Sequence, residues 1–405
     1  KFGRFGKRKF FIMISFIPLC LMMVFLFSAP INIPIAGFAY FLFIIMLFEL
    51  IYSLFDVNVK ALFPEMWPNQ EERSKTNIIL RILTIFAILG AFLIPTVIPG
   101  LTLPDATQAH TNPLNAELKY LLNGGIVALI IFITGFLFIK FGIKEREETA
   151  EQLKSRPRFF ESLKITLKNK NFVFLVLANM ATWYVLTMLT SMFSFYVEFV
   201  LGVDATHKAF GVLGTFLYYG ISIILAFIVA ILTMPVHKKL GTKFGMRNGF
   251  IITMAIMGST FLLFLFFIPY NYISQMFAII TAGIIGFGLS GILFYFDILM
   301  GDVIDQDELK SGVKRSASFY GTNAFIHRFS IIFFISSVTL TFQYTPWNKS
   351  FEITNPSIVA LPLKILFSIG PAIACFIALI LMLFYKLHGK RLKEMRTKIR
   401  QKADV

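Results

Sequence analysis

The sequence predicts an all-α polytopic membrane protein, and three observations lead there. Of 405 residues, 57% are hydrophobic and 49 are Phe, and the mean hydropathy is +0.75, too apolar for a soluble globular chain of this length. Ten apolar stretches are each long enough to cross a bilayer. None alternates with period two and each is about twice the length of a barrel strand, so the spans are helices.

In chain order the expected spans are 10–29, 31–55, 76–100, 119–143, 171–201, 209–235, 249–268, 273–300, 318–345 and 360–386. Lys1, Arg4, Lys7, Arg8 and Lys9 precede the first span. The second ends at Phe55-Asp56, and the third carries Arg81 inside its apolar run. Between the fourth and fifth lies a loop holding Lys144, Arg146, Lys154, Arg156, Arg158, Lys164, Lys168 and Lys170, within which 158–164 reads as an interfacial amphipathic helix. The ninth span embeds His327 and Arg328, and a basic tail from Lys386 to Lys402 follows the tenth. The loops at 101–118, 202–208, 269–272 and 346–359 hold few cations, so the positive-inside rule places both termini and the middle loop in the cytoplasm of a plasma-membrane protein. The net charge of +16 then reflects topology and contact with anionic lipid, not nucleic-acid binding.

The expected organisation is an N-terminal transmembrane half at 1–143, a middle loop at 144–170, a C-terminal half at 171–386 and a tail at 387–405. A repeat supports it: Phe5-Gly6-Lys7-Arg8 recurs as Phe244-Gly245-Met246-Arg247, and Phe55-Asp56 as Phe296-Asp297, at nearly equal offsets. Two spans precede the Phe-Gly-x-Arg loop in the second half and none in the first, so two preceding helices are expected to be absent from this chain, leaving ten of twelve. Charged loops in corresponding places of the two halves point to a transporter with a midplane site.

Several motifs have ordinary readings. Cys20 and Cys375 sit in apolar spans and pack there, with no disulfide framework or metal-binding cysteine pair. Gly286-Phe287-Gly288-Leu289-Ser290-Gly291 has dinucleotide-loop spacing but lies within an apolar span with no strand before it, so close helix packing is expected. Asn348-Lys349-Ser350 is a sequon in an exterior loop. No nucleophile or metal constellation of an intramembrane enzyme is recognised, and no cofactor is expected.

The chemistry concentrates in charged and amide side chains within spans, where an ionisable group is costly unless it faces protein or a water-filled cavity. Glu49, Ser53, Asp56 and Lys60 fall on one helical face. Asp56 and Lys60 have the spacing of a local ion pair, and Glu49, deeper in the span, favours a polar cavity. Arg81 offers a planar fork to carboxylate, phosphate or vicinal hydroxyls. Asn179, Thr182, Trp183 and Tyr184 place hydrogen-bonding groups beside aromatic faces; Asn323, His327 and Arg328 complete the candidate set. Asp302, Asp305, Asp307, Glu308, Lys310, Lys314 and Arg315 read as a loop whose state-dependent ion pairs close the cytoplasmic side.

The motif GDVIDQDELKSGVKR, together with the segment 195–202, Ala-Leu-Phe-Pro-Glu at 61–65 before Glu71-Glu72-Arg73, and KFGRFGKRKFF, resembles the glycoside-pentoside-hexuronide:cation symporter family, the melibiose-carrier branch of the major facilitator fold. The resemblance covers essentially the whole chain. It implies two pseudo-symmetric helical halves and cation-coupled symport of a sugar or glycoside by alternating access, as a monomer, with Na⁺ or H⁺ as the coupling ion. It also implies sugar contacts for Asp56 and Arg81, and places Arg328 where the family has a lysine near sugar and cation. Lys60 stands where the melibiose carrier has a stacking tryptophan. Stacking is lost and positive charge gained, an expectation of anionic, hexuronide-like solutes. The family's main cation-site carboxylates fall on a helix outside this chain. The alternatives are a lysophospholipid symporter of the same fold, whose headgroup and acyl tail suit a cationic, Phe-rich site, and, from another class, a non-transporting membrane sensor or assembly protein, which lacks the soluble domain it would need.

Overall fold

The computed structural model describes residues 7–28, 34–67, 70–102, 113–143, 159–202, 214–268, 271–312, 315–343 and 356–403. Lys1, Arg4, Phe5-Gly6, most of the middle loop, Lys314 and the Asn348 sequon lie outside them. Among the described residues there are thirteen α-helices and no strand: α1 Lys7–Leu26, α2 Pro34–Met66, α3 Gln70–Thr102, α4 Pro113–Leu137, α5 Phe159–Lys168, α6 Lys170–Phe195, α7 Gly214–Phe244, α8 Met246–Leu263, α9 Tyr272–Ser311, α10 Ser316–His327, α11 Phe329–Gln343, α12 Pro356–Leu383 and α13 Gly389–Ala403. Short π turns extend α4 through Phe138–Gly142 and α6 through Tyr196–Val200. Among the described residues, nine segments are long and apolar enough to cross a membrane; the remaining expected span, 76–100, lies within α3.

Four boundaries differ from expectation, each for a physical reason. The second span does not end at Asp56: α2 continues to Met66, so Asp56, Lys60 and Glu65 are helical. Their charges are met by Lys60 Nζ to Asp56 Oδ2 at 2.7 Å and Arg8 Nη2 to Glu65 Oε1 at 2.5 Å. The acidic stretch after residue 300 is likewise helix rather than loop, because α9 runs through Asp302, Asp305 and Asp307 to Ser311 and stops at Gly312, whose φ of 71° favours glycine. The sixth span extends to Phe244, which places His237 fully buried within α7. The ninth span is broken at Arg328 into α10 and α11.

The chain divides into two compact units, one of residues 1–69 and 86–156, the other of 70–85 and 157–405. In the first, α1 packs on α2 and α4. Phe16 stacks on Phe132 at 5.6 Å, and Gly135 leaves room for the Phe16 ring that a Cβ would occupy.

The second unit is built around the 40-residue α9, which packs against α6, α7, α8 and α13. Small residues permit the approach. A Cβ at Gly286 would collide with the Ala226 carbonyl of α7, one at Gly288 with Met257 of α8, and one at Gly291 with Thr253 and His237. The glycine-rich motif is thus a helix-packing stripe. Gly245, with φ of 89°, turns α7 into α8, and Arg247 then caps the end of α12 by donating to the carbonyls of Met382 and Leu383 at 2.8 and 2.6 Å.

Candidate functional site

A buried polar cluster in the second unit has Arg81 at its centre. Asn77, one turn earlier on α3, donates through Nδ2 to the Phe294 carbonyl at 2.7 Å and accepts from Arg81 Nε on Oδ1 at 3.2 Å. That contact aims the guanidinium at α9, where it pairs with Asp297. The Tyr320 hydroxyl of α10 donates to Asp297 at 3.4 Å. Side-chain exposure is 18% for Arg81 and 8% for Asp297, so this pair is largely removed from solvent. Charge-assisted contacts of this kind are strong, and breaking one leaves an uncompensated charge.

Further along the same elements, Asn179 of α6 donates to Asn323 Oδ1 of α10 at 2.9 Å, both buried. The Thr182 hydroxyl donates to the Asn179 carbonyl at 2.7 Å. One turn on, the His327 and Trp183 rings stack with centroids 4.8 Å apart and planes 29° apart. His327 Nδ1 lies 2.9 Å from the Asn323 carbonyl, so Nδ1 carries the proton there. Trp183 stays 38% exposed. Arg328 is half-buried at the break between α10 and α11. The Tyr184 hydroxyl donates to Ser337 of α11 at 3.1 Å.

Asp56, Lys60 and Glu49 belong to the first unit. Glu49 is half-buried on α2, and Lys60 turns back to Asp56. Lys60 thus has an ion-pair partner one turn away on its own helix, the local pairing that the spacing also offered.

The acidic end of α9 is a set of buried ion pairs. Arg73, 1% exposed, donates from Nη1 and Nη2 to Asp305 at 3.1 Å, with Gly301 leaving space for its guanidinium. Arg396 of α13 holds Asp302 at 2.8 Å, and Arg315 holds Asp307 at 2.5 Å. Lys310 is exposed. Nearby Tyr385 donates to the Leu299 carbonyl at 3.4 Å.

Sequence reasoning missed Asp297 and Tyr320 as members of the Arg81 cluster. The available signal was the repeat, which set Asp297 beside Asp56 without naming a partner.

The MFS/sugar transport protein family profile matches residues 2–389. The chain belongs to this family. It is an integral membrane protein of the major facilitator fold: structures of a variant of the E. coli fucose:proton symporter FucP and of the major facilitator superfamily transporter FucP in the outward conformation superpose with TM-scores of 0.62 at 12% and 11% identity, over 94% of this chain and 84% and 83% of theirs. Two curated relatives are the sodium-dependent lysophosphatidylcholine symporters 1 of Xenopus tropicalis, 19% identical, and Mus musculus, 21% identical. These alignments cover 68% and 88% of this chain, and the chain spans half of the frog protein and 67% of the mouse one.

Proposed function

We propose that this family member carries out cation-coupled symport of a small solute with a polar, hydroxylated or anionic head, by alternating access, and that a sugar or glycoside is that solute. The observation carrying the reading is the Arg81 cluster: one planar guanidinium fork paired with a carboxylate, with the buried amides Asn179 and Asn323 and the exposed Trp183 face presented by the same unit. Fork, carboxylate and amide are the groups that grip hydroxyls, and an aromatic face covers a sugar ring. Asp297 joins Arg81, Asn323 and Arg328 as solute-binding residues in this reading, with Trp183 and His327 beside them.

The expected preference for anionic solutes changes in form. Lys60 no longer argues for it, since Asp56 compensates it, and Arg81 carries its own counter-ion in Asp297. A second reading, transport of a lysophospholipid, is favoured by the curated relatives; the phosphate would meet Arg81.

The decisive experiment is uptake into proteoliposomes across a panel of radiolabelled hexosides, hexuronides and lysophosphatidylcholine, under Na⁺ or H⁺ gradients. Gradient-driven uptake of a hexuronide is the expected result, and uptake of a hexoside alone keeps the sugar reading without its anionic form. Uptake of the lysophospholipid alone replaces the first reading with the second, and uptake of nothing under either gradient overturns both.

A further inference from the structure

Arg81 does not wait for a solute with its fork open, because an internal carboxylate already occupies it. A solute anion that takes the Nη2 side of the guanidinium displaces Asp297, and a displaced carboxylate would stand in a site where its side chain is 8% exposed. An ionised group left there without compensation is strongly disfavoured. Two events must therefore occur together: an anion arrives at Arg81 and a cation arrives at Asp297. From this geometry we infer that Asp297 is an internal counter-ion which the solute's carboxylate or phosphate displaces from Arg81, and that the displaced carboxylate is where a coupling cation is taken up. The inference rests on the reading of Arg81 as a solute-binding residue and assigns the link between anion and cation to one named side chain.

The groups around Asp297 suit this exchange. Arg81 comes from α3 and Tyr320 from α10, and the phenol hydroxyl donates to the carboxylate. Among the described residues, several other titratable groups on the elements packed against α9 are engaged elsewhere. His237 of α7 contacts the Phe287 carbonyl at 2.9 Å, Tyr295 donates to the His237 carbonyl at 2.9 Å, and Arg396 of α13 is held by Asp302. Arg247 of α8 donates to α12 carbonyls and Tyr184 of α6 donates to Ser337. A proton needs only the carboxylate; it enters from the side on which the solute binds, neutralises Asp297 as the ion pair opens, and leaves on the other side with the solute. A sodium ion at the same carboxylate neutralises it equally and needs further oxygen donors, of which the Tyr320 hydroxyl is one. Either cation removes the competitor for Arg81 and the penalty on Asp297 in one step, and by reciprocity the anion raises the affinity for the cation by the same factor. A neutral solute leaves the ion pair closed and gains nothing from the cation.

The test is equilibrium binding to the purified protein with two matched probe pairs: phenyl glucuronide against phenyl glucoside, and lysophosphatidylcholine against the monoacylglycerol of the same chain. Each is titrated across pH without sodium and across sodium at fixed pH. The wild type is expected to bind the anionic member of one pair at least about tenfold tighter when the cation is present, its neutral partner being insensitive. Asp297→Asn is expected to bind that anion at the cation-saturated affinity with no cation dependence. The probe pair that responds separates uronate from phosphate, and the titration that moves it separates proton from sodium. Retention of full cation dependence in Asp297→Asn overturns the inference, as does wild-type anion binding that ignores both cations. Asp297→Glu covers the case in which the Asn variant does not fold: it must keep the dependence with a shifted half-saturation, and an unshifted one overturns the inference. Arg81→Gln separates the two failures. If it changes the affinity of none of the four probes, the reading of Arg81 itself is wrong; if it abolishes anion binding while Asp297→Asn keeps its cation dependence, only the inference falls.

Discussion

Asp56 and Asp297 occupy equivalent places in the sequence repeat, each following a Phe near the end of an apolar run, yet the fold treats them differently. Asp56 pairs with Lys60 one turn along the same helix, with side-chain exposures of 18% and 37%. Asp297 pairs with Arg81 on another helix at 8% and 18%, and is joined by Tyr320. A pair one turn apart on a single helix is worth about 0.3 to 0.5 kcal/mol. Removing one partner of a buried pair costs about 3 to 5 kcal/mol. Two halves with a shared pattern thus place one inexpensive and one costly carboxylate at corresponding positions, and the costly one is where chemistry can be linked to conformation.

The largest expected effect breaks the costly pair. Arg81→Gln should lower stability by about 3 to 5 kcal/mol and abolish solute uptake, whereas Lys60→Gln should cost less than about 0.5 kcal/mol. Unfolding of both variants in the same detergent, alongside proteoliposome uptake, measures this. Equal losses would erase the distinction between the two aspartates.

Next is Arg73→Gln, which leaves Asp305 without its guanidinium at a residue 1% exposed. A stability loss of about 3 kcal/mol is expected, with solute affinity unchanged in equilibrium binding because Arg73 belongs to the acidic end of α9 rather than to the Arg81 cluster. Altered affinity in a folded Arg73→Gln protein would show that the two clusters act as one.

What was legible in the sequence follows the same division between local and distant. The helices were, since apolar length alone fixes them in a bilayer, and so was the Asp56–Lys60 pair, since spacing along one helix fixes it. The extension of α2 and α9 past their apolar runs was not, because charged residues read as loop until their partners are known. Arg8 with Glu65 and Arg73 with Asp305 are contacts between separate motifs that the sequence offered only as separate signatures. For the same reason Arg81 was legible as a fork without its occupant, and Lys60 was assigned a cavity charge that its neighbour four residues away compensates.

A smaller effect sharpens the reading of Lys60. With Lys60 serving Asp56, Lys60→Trp should shift the preference between a glucuronide and its glucoside by no more than about twofold in competition assays. A large gain for the neutral sugar would return Lys60 to the solute site and make the first unit's aspartate as consequential as the second's.

The smallest effect separates burial from sequence distance as the source of cost. His388 lies far along the chain from Arg247, yet its exposed Nε2 contacts Arg247 Nη1 at 3.0 Å. An N–H donor faces it, so the imidazole accepts and is neutral in this contact. Its pKa is lowered from the usual 6.5, by partial burial first and then by Arg247 and Arg391. The folded protein therefore binds this proton less readily than the unfolded chain. The associated stability is fully present above the unfolded value of 6.5 and is lost as pH falls below it. The melting temperature should decline slightly on acidification through that range, and His388→Gln should remove that slight decline while leaving the stability above it nearly unchanged. A decline as large as the Arg81→Gln loss, and abolished by His388→Gln, would mean that distance along the chain, not removal from water, sets the cost of these contacts.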